Sequence, residues 1–155
     1  MKKTIILGVR NSSLKDDSVG VHVAEELKKH VRKPGITIDS AFTNDMNLLD
    51  LMANHDRAIL IDAIKMKNRQ IGDVGLFGLG ELSAFNTSNP PGVSLPGAID
   101  FARKLGHNKI PKDIRVVGIN IGELGCEFGE EISSEIQKAI PKAVELVKKE
   151  VESDR

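Results

Sequence analysis

Short, nearly unbroken apolar runs alternate along this chain with segments whose apolar residues recur every three or four positions, a pattern that predicts alternating strands and helices. Thr4–Val9 reads as a buried strand, and Val19, Val23, Leu27 and Val31 mark one face of a helix over about Asp17–Val31, stopped by Lys33-Pro34-Gly35. Ile36–Phe42 alternates apolar and polar, which suits a strand nearer the sheet edge. Asn44 is a candidate N-cap for a short helix carrying Leu48, Leu49 and Met52. Ala58-Ile59-Leu60-Ile61 is wholly apolar and closes in Asp62, the mark of a central parallel strand covered on both faces.

Gly72–Gly78 gives a weaker strand, and its link back to Asp62 is too short for a parallel crossover, so it is expected to run antiparallel. Gly80–Pro96 reads as a long loop around Pro90-Pro91-Gly92, followed by a helix to about Leu105. Ile114–Ile121 is the last core strand and Gly122–Gly129 a glycine-rich turn. The final helix has Ile136, Ile140, Val144, Val147 and Val151 on its apolar face, with Ser133 or Ser134 as its cap and Ser134 and Gln137 as a capping box. Pro141 inside that pattern should kink or break the helix. The expectation is one three-layer α/β domain over 1–155: a mostly parallel twisted sheet of about five strands, one of them antiparallel, with helices on both faces.

Composition narrows the function. Lys+Arg and Asp+Glu both total 22, so no net charge points to nucleic acid or a membrane surface, and five Phe without Tyr or Trp provide no stacking platform for bases. No apolar run has membrane-spanning length, the first one breaks at Arg10, and one cysteine, Cys126, suits a reducing compartment. These features lead to an expectation of a cytoplasmic protein.

The chemistry centres on Gly8–Gly20, where a strand turns into a helix. That arrangement often cradles a phosphate, but after Gly8 the next glycine is Gly20, and Asp16 and Asp17 stand at the helix start, where they would repel one. A cation or a donor group fits better than a nucleotide. In an open α/β sheet ligands bind beyond the carboxyl ends of parallel strands. If the strands ending near Gly8 and at Asp62 are neighbours, Asp17 and Asp62 converge on one crevice that the Gly80–Pro96 loop could cover. Either aspartate alone reads more simply as a helix cap or a solvated strand end; as a pair they suggest a metal or acid–base site. Ser83, Ser88 and Ser94 have no histidine placed to activate them, and acidic surroundings disfavour a Cys126 thiolate.

The pattern Gly8-x-x-Asn11-x-x-Leu14-x-Asp16-Asp17-x-x-Gly20-x-x-Val23, then Ile61-Asp62-Ala63, then Gly118-Ile119 and Phe128-Gly129-x-x-Ile132-Ser133-x-x-Ile136-x-x-Ala139, resembles the hydrogenase maturation endopeptidases from about residue 3 to residue 150. The resemblance implies a protease that removes the C-terminal extension of a nickel–iron hydrogenase large subunit after nickel insertion, the nickel being carried by the substrate. It also implies a metal contact through an acidic residue, an aspartate and a histidine; the first two match Asp17 and Asp62, the expected catalytic and metal-binding residues. The histidine position falls on Pro91, which has no ligating side chain, and His22, His30, His55 and His107 offer no evident substitute. Two carboxylates make an oxygen-only site that would hold nickel weakly. The expected partner is the precursor large subunit, with no nucleotide, nucleic acid or membrane. The alternative is a non-proteolytic relative that binds a hydrogenase-like subunit or an assembly factor.

Overall fold

The computed structural model describes residues 2–10, 18–42, 46–66, 69–79, 81, 86–87, 99, 103–104, 109–122 and 132–153. Asp16, Asp17, Asn44, Pro91, Cys126, most of the Gly80–Pro96 loop and most of the helix expected before Gly106 lie outside them. Its elements are β1 (Thr4–Arg10), α1 (Val19–His30), β2 (Ile36–Phe42), α2 (Met46–Met52), β3 (Arg57–Lys65), β4 (Val74–Gly78), β5 (Asn86–Thr87), β6 (Asp113–Asn120) and α3 (Ser134–Glu152). Ile99, Arg103 and Lys104 are also helical.

The sheet runs in the order β2-β1-β3-β6-β4. β2, β1, β3 and β6 are parallel, and β4 runs antiparallel against β6, as its short connection required. β3, in the middle, is buried at every residue but Lys65, which explains its unbroken apolar run. β2 lies at the edge, as its alternation suggested.

Odd and even positions of the strands feed two cores. Ile5, Leu7, Val9, Leu60, Ile64 and Val116 pack with Leu48 and Met52 of α2 and with Ile99. Ile6, Ile59, Ile61, Val117 and Ile119 pack with Val19, Val23 and Leu27 of α1 and with Ile136, Ala143 and Val147 of α3. Each fully buried Leu or Ile contributes about 1.5–3 kcal/mol. The chain steps from β1 outward to β2 through α1, then back past β1 to β3 through α2. Since parallel crossovers keep one hand, these opposite steps put α1 and α2 on opposite faces.

Four sequence expectations change. α3 is continuous through Pro141, so the helix is not broken there. Its N-cap is Ser133, and the Gln137 amide donates to the Ile132 carbonyl at 3.0 Å instead of completing a capping box with Ser134. The Gly80–Pro96 segment contains β5, whose Thr87 and Asn86 pair antiparallel with Ile64 and Lys65 of β3. β3 continues three residues beyond Asp62, paired with β6 as far as Ile64, and Asp62 is an interior, fully buried residue (0% exposed), not a solvated strand end.

At the other end of the sheet, the buried Arg57 guanidinium donates to the carbonyls of Glu150 and Ser153 and lies 3.3 Å from a Glu150 carboxylate oxygen. These contacts cap the last turn of α3, where a cation complements the helix dipole. Among the described residues no helix is long and apolar enough to cross a membrane.

Candidate functional site

β1 and β3 pair only as far as Gly8 and Ile61. Beyond that point β1 stays with β2 through Arg10–Phe42, while β3 stays with β6 through Ile64–Asn120. The sheet splits there, and the split falls between the strands where the chain reverses its direction of travel across the sheet. Open α/β sheets place their ligand crevices at such a switch point. The first β3 residue past the split is Asp62. β5 then joins β3 at Ile64 and Lys65, so part of the Gly80–Pro96 segment borders the crevice.

The start of α1 is held against the same place by two glycines. A Cβ on Gly20 would lie 2.9 Å from the Ile61 carbonyl carbon, closer still to its oxygen, and 3.0 Å from the Val9 carbonyl oxygen. A Cβ on Gly8 would lie 2.8 Å from the Gly20 carbonyl carbon and 2.9 Å from the Ala24 Cβ. Gly20 is thus needed for helix–strand contact and not for a phosphate. Ser18, buried, begins the helical turn, and Asp17 is the residue before it, just outside the described part of the chain.

Asp62 pairs in register with Gly118 of β6, and its parity puts it on the face of Leu60 and Ile64. A Cβ on Gly118 would collide with the Ile64 side chain, so glycine there makes room for the packing around the aspartate. A carboxylate taken into an apolar core costs free energy, and such costs concentrate at functional sites. His55 sits just before β3, at the opposite end from Asp62, with Nδ1 3.0 Å from the Ala53 carbonyl oxygen. Among the described residues no three His, Cys, Asp or Glu side chains cluster as metal ligands.

Sequence reasoning missed Asn120, a buried polar residue inside the last core strand. Its Oδ1 accepts from the backbone N–H groups of Met66 (2.9 Å) and Gly122 (3.1 Å), and its Nδ2 donates to the carbonyls of Arg69 (3.2 Å) and Gln70 (3.0 Å). The backbone joins in: Gly72 N–H donates to the Asn120 carbonyl and Asn120 N–H to the Asp73 carbonyl, both at 2.8 Å. One side chain thus ties the carboxyl ends of β3 and β6 to the turn before β4. The available signal was a lone amide within the run Val116–Ile121. Asn120→Ala leaves buried donors without acceptors and should cost about 2–4 kcal/mol. Urea denaturation giving a loss below about 1 kcal/mol would contradict the clamp.

A doubly wound α/β chain with a buried carboxylate at its switch point defines a class of crevice-type binding proteins and enzymes. Residues 21–150 match the family model of hydrogenase maturation proteases, and the chain belongs to that family. It is 29% identical over 148 residues to the hydrogenase 2 maturation protease of Escherichia coli K12, covering 94% of this chain and 88% of that protein. Among solved structures it is similar to the E. coli hydrogenase maturating endopeptidase HybD (TM-score 0.78, 26% identity, 97% and 92% of the two chains). It is also similar to the NiFe hydrogenase maturation protease HybD of Thermococcus kodakarensis (TM-score 0.72, 25% identity, 95% and 97%).

Proposed function

We propose that this chain is a cytoplasmic endopeptidase that removes the C-terminal extension of a nickel–iron hydrogenase large subunit once nickel has been inserted, and that Asp17 and Asp62 carry the reaction. The observation behind this reading is that Asp62 is buried at the first position beyond the β1–β3 split. Gly20 at the start of α1 packs against the residue before it. Asp17 is three residues from Gly20 in sequence, a covalent tether of at most about 11 Å. Both carboxylates therefore belong within reach of one bound segment.

Peptide hydrolysis needs a water aimed at the scissile carbonyl and a group that accepts its proton. A carboxylate serves as that base, or it contacts the substrate's nickel and so fixes the neighbouring peptide bond. If Pro91 stands at the family's histidine position, as the resemblance implies, Asp17 and Asp62 offer carboxylate oxygens without an imidazole, and the metal's affinity would come from the ligands the precursor already provides. That proline also favours a second reading, a relative that binds a hydrogenase-like subunit without cutting it.

Incubating the protein with nickel-loaded and nickel-free precursor, with product masses as readout, separates the readings. Shortening of the nickel-loaded form alone is expected. Stable binding without shortening would establish the second reading, and equal cleavage of both forms would remove nickel as the signal.

A further inference from the structure

α1 and α3 lie side by side on one face of the sheet, and both start from its carboxyl rim. Between them runs an open groove of about 1180 Å³. It begins at Arg10 and Ser18, beside the crevice, and passes Gln137, Ile140, Pro141 and Val144 on its way to Lys29 and Lys148. A second hollow of about 420 Å³ shares Lys29, His30 and Lys148 with it and adds Arg32, Lys33 and Glu152. The path runs from the carboxyl rim of the sheet to the far end of both helices.

Its lining suits an extended chain. Ile140 and Val144 supply an apolar floor. Pro141 has no N–H, so the Gln137 carbonyl lacks its usual helical donor on a wall of the groove. From Gln137 to Lys148 the groove follows α3 for about 16 Å, the reach of about five extended residues.

The charge changes along this path. Glu26 faces Lys29 at 3.0 Å and Glu145 faces Lys148 at 3.6 Å. The Lys29 ammonium, by hydrogen bond and then by charge, holds the Glu26 carboxyl below the ordinary carboxylate range. Arg32 and Lys33 are exposed and enter no ion pair among the described residues, and against the Glu152 carboxylate in the same hollow they leave the far end with excess positive charge.

Resting on the proposed processing activity, we propose that the α1–α3 groove receives the C-terminal extension of the precursor and that Arg32 and Lys33 hold a carboxylate of that extension. The scissile bond then lies at the rim and the extension runs down the groove. Captured carboxylates of this kind come from a chain terminus or from an acidic side chain.

The test is the double variant Arg32→Glu/Lys33→Glu, whose positions lie far from Asp62 and outside the core. On nickel-loaded precursor with its full extension, KM should rise about tenfold, as expected for loss of charge-assisted contacts, with kcat within about twofold. On a precursor whose extension is cut to two residues, the gap between parent and variant should shrink below about twofold. An unchanged KM on the full extension, or an equal gap on the short one, overturns the groove while leaving the processing activity standing.

If the parent shortens no precursor, the processing reading fails by itself, and the groove is then read by hydrogen exchange. A synthetic peptide of the extension should protect α1 and α3 in the parent and not in the double variant, and absence of protection overturns the proposal. Amidating the peptide's C-terminus should abolish protection if the terminal carboxylate is the one held. Replacing its acidic side chains with amides should abolish it if one of those is held, and protection that survives both changes overturns the carboxylate assignment.

Discussion

Asp62→Asn should abolish processing of nickel-loaded precursor, with a fall of about 10²–10⁴ in kcat, the range associated with losing a positioned proton acceptor. Asparagine keeps the size and planarity of the side chain, and Asp62 is fully buried, so the surrounding packing stays as it is. A neutral amide also avoids the cost of burying a charge, and the thermal midpoint should stay within a few degrees of the parent's. Asp17→Asn should give a comparable loss of turnover. Both variants should still bind precursor, because most of that interface lies outside two side chains. A purely structural Asp62 would behave the opposite way, with stability falling and the processing rate per folded molecule unchanged. Processing undiminished in both variants would mean that the reaction is carried elsewhere. If both variants bind normally and the parent itself never shortens precursor, the binding reading stands.

Much of the architecture was legible in the sequence because parallel strands buried on both faces leave an unmistakable apolar run. Ala58–Ile61 identified the central strand, and a short connection was enough to make β4 antiparallel. The neighbouring of β1 and β3, which the sequence left as a condition for the shared crevice, is met in the fold. What could not be read depends on partners remote in sequence. Two residues inside a proline-rich loop, Asn86 and Thr87, become a strand only because the edge of β3 is available to them, and β3 itself runs beyond Asp62 because β6 pairs with it as far as Ile64. Pro141 sits in a continuous helix because the α3 face is fixed by packing on the sheet at Ile136, Ala139, Ala143 and Val147, which outweighs a missing hydrogen bond. Arg57 stands just before one apolar run and Asn120 inside another; each is buried because it ends a helix or ties two strand ends to a turn. The basic end of the α1–α3 groove, too, was obscured by a balanced composition, since its cations are gathered by the fold from two stretches over a hundred residues apart.

Gly20→Ala should destabilise the protein and slow processing together, although alanine is the better helix former. Gly20 is in α1 and none of the described positive-φ residues, so its backbone conformation is one that alanine adopts freely, and propensity alone would favour the change by about 1 kcal/mol. Against that, the new methyl group would sit within 2.9 Å of the Ile61 carbonyl carbon and 3.0 Å of the Val9 carbonyl oxygen. These are backbone atoms of two paired strands, and they cannot turn away as a side chain would. α1 must lift from the sheet instead, loosening Val19, Val23 and Leu27 in the core. Overpacking of this kind costs about 1–3 kcal/mol or more, so a net loss of about 2 kcal/mol is expected in thermal or urea denaturation. The lift is greatest at the start of α1, next to Asp17 in sequence and over the residue preceding Asp62, so processing should fall at temperatures where the variant is still folded. Gly8→Ala presses on the same contact from β1, through the Gly20 carbonyl, and because the two changes share one interface their costs should not add. Equal stability of Gly20→Ala and the parent would mean that the sheet yields to the helix, and an unchanged processing rate would mean that the spacing between α1 and β3 does not set the geometry of the reaction.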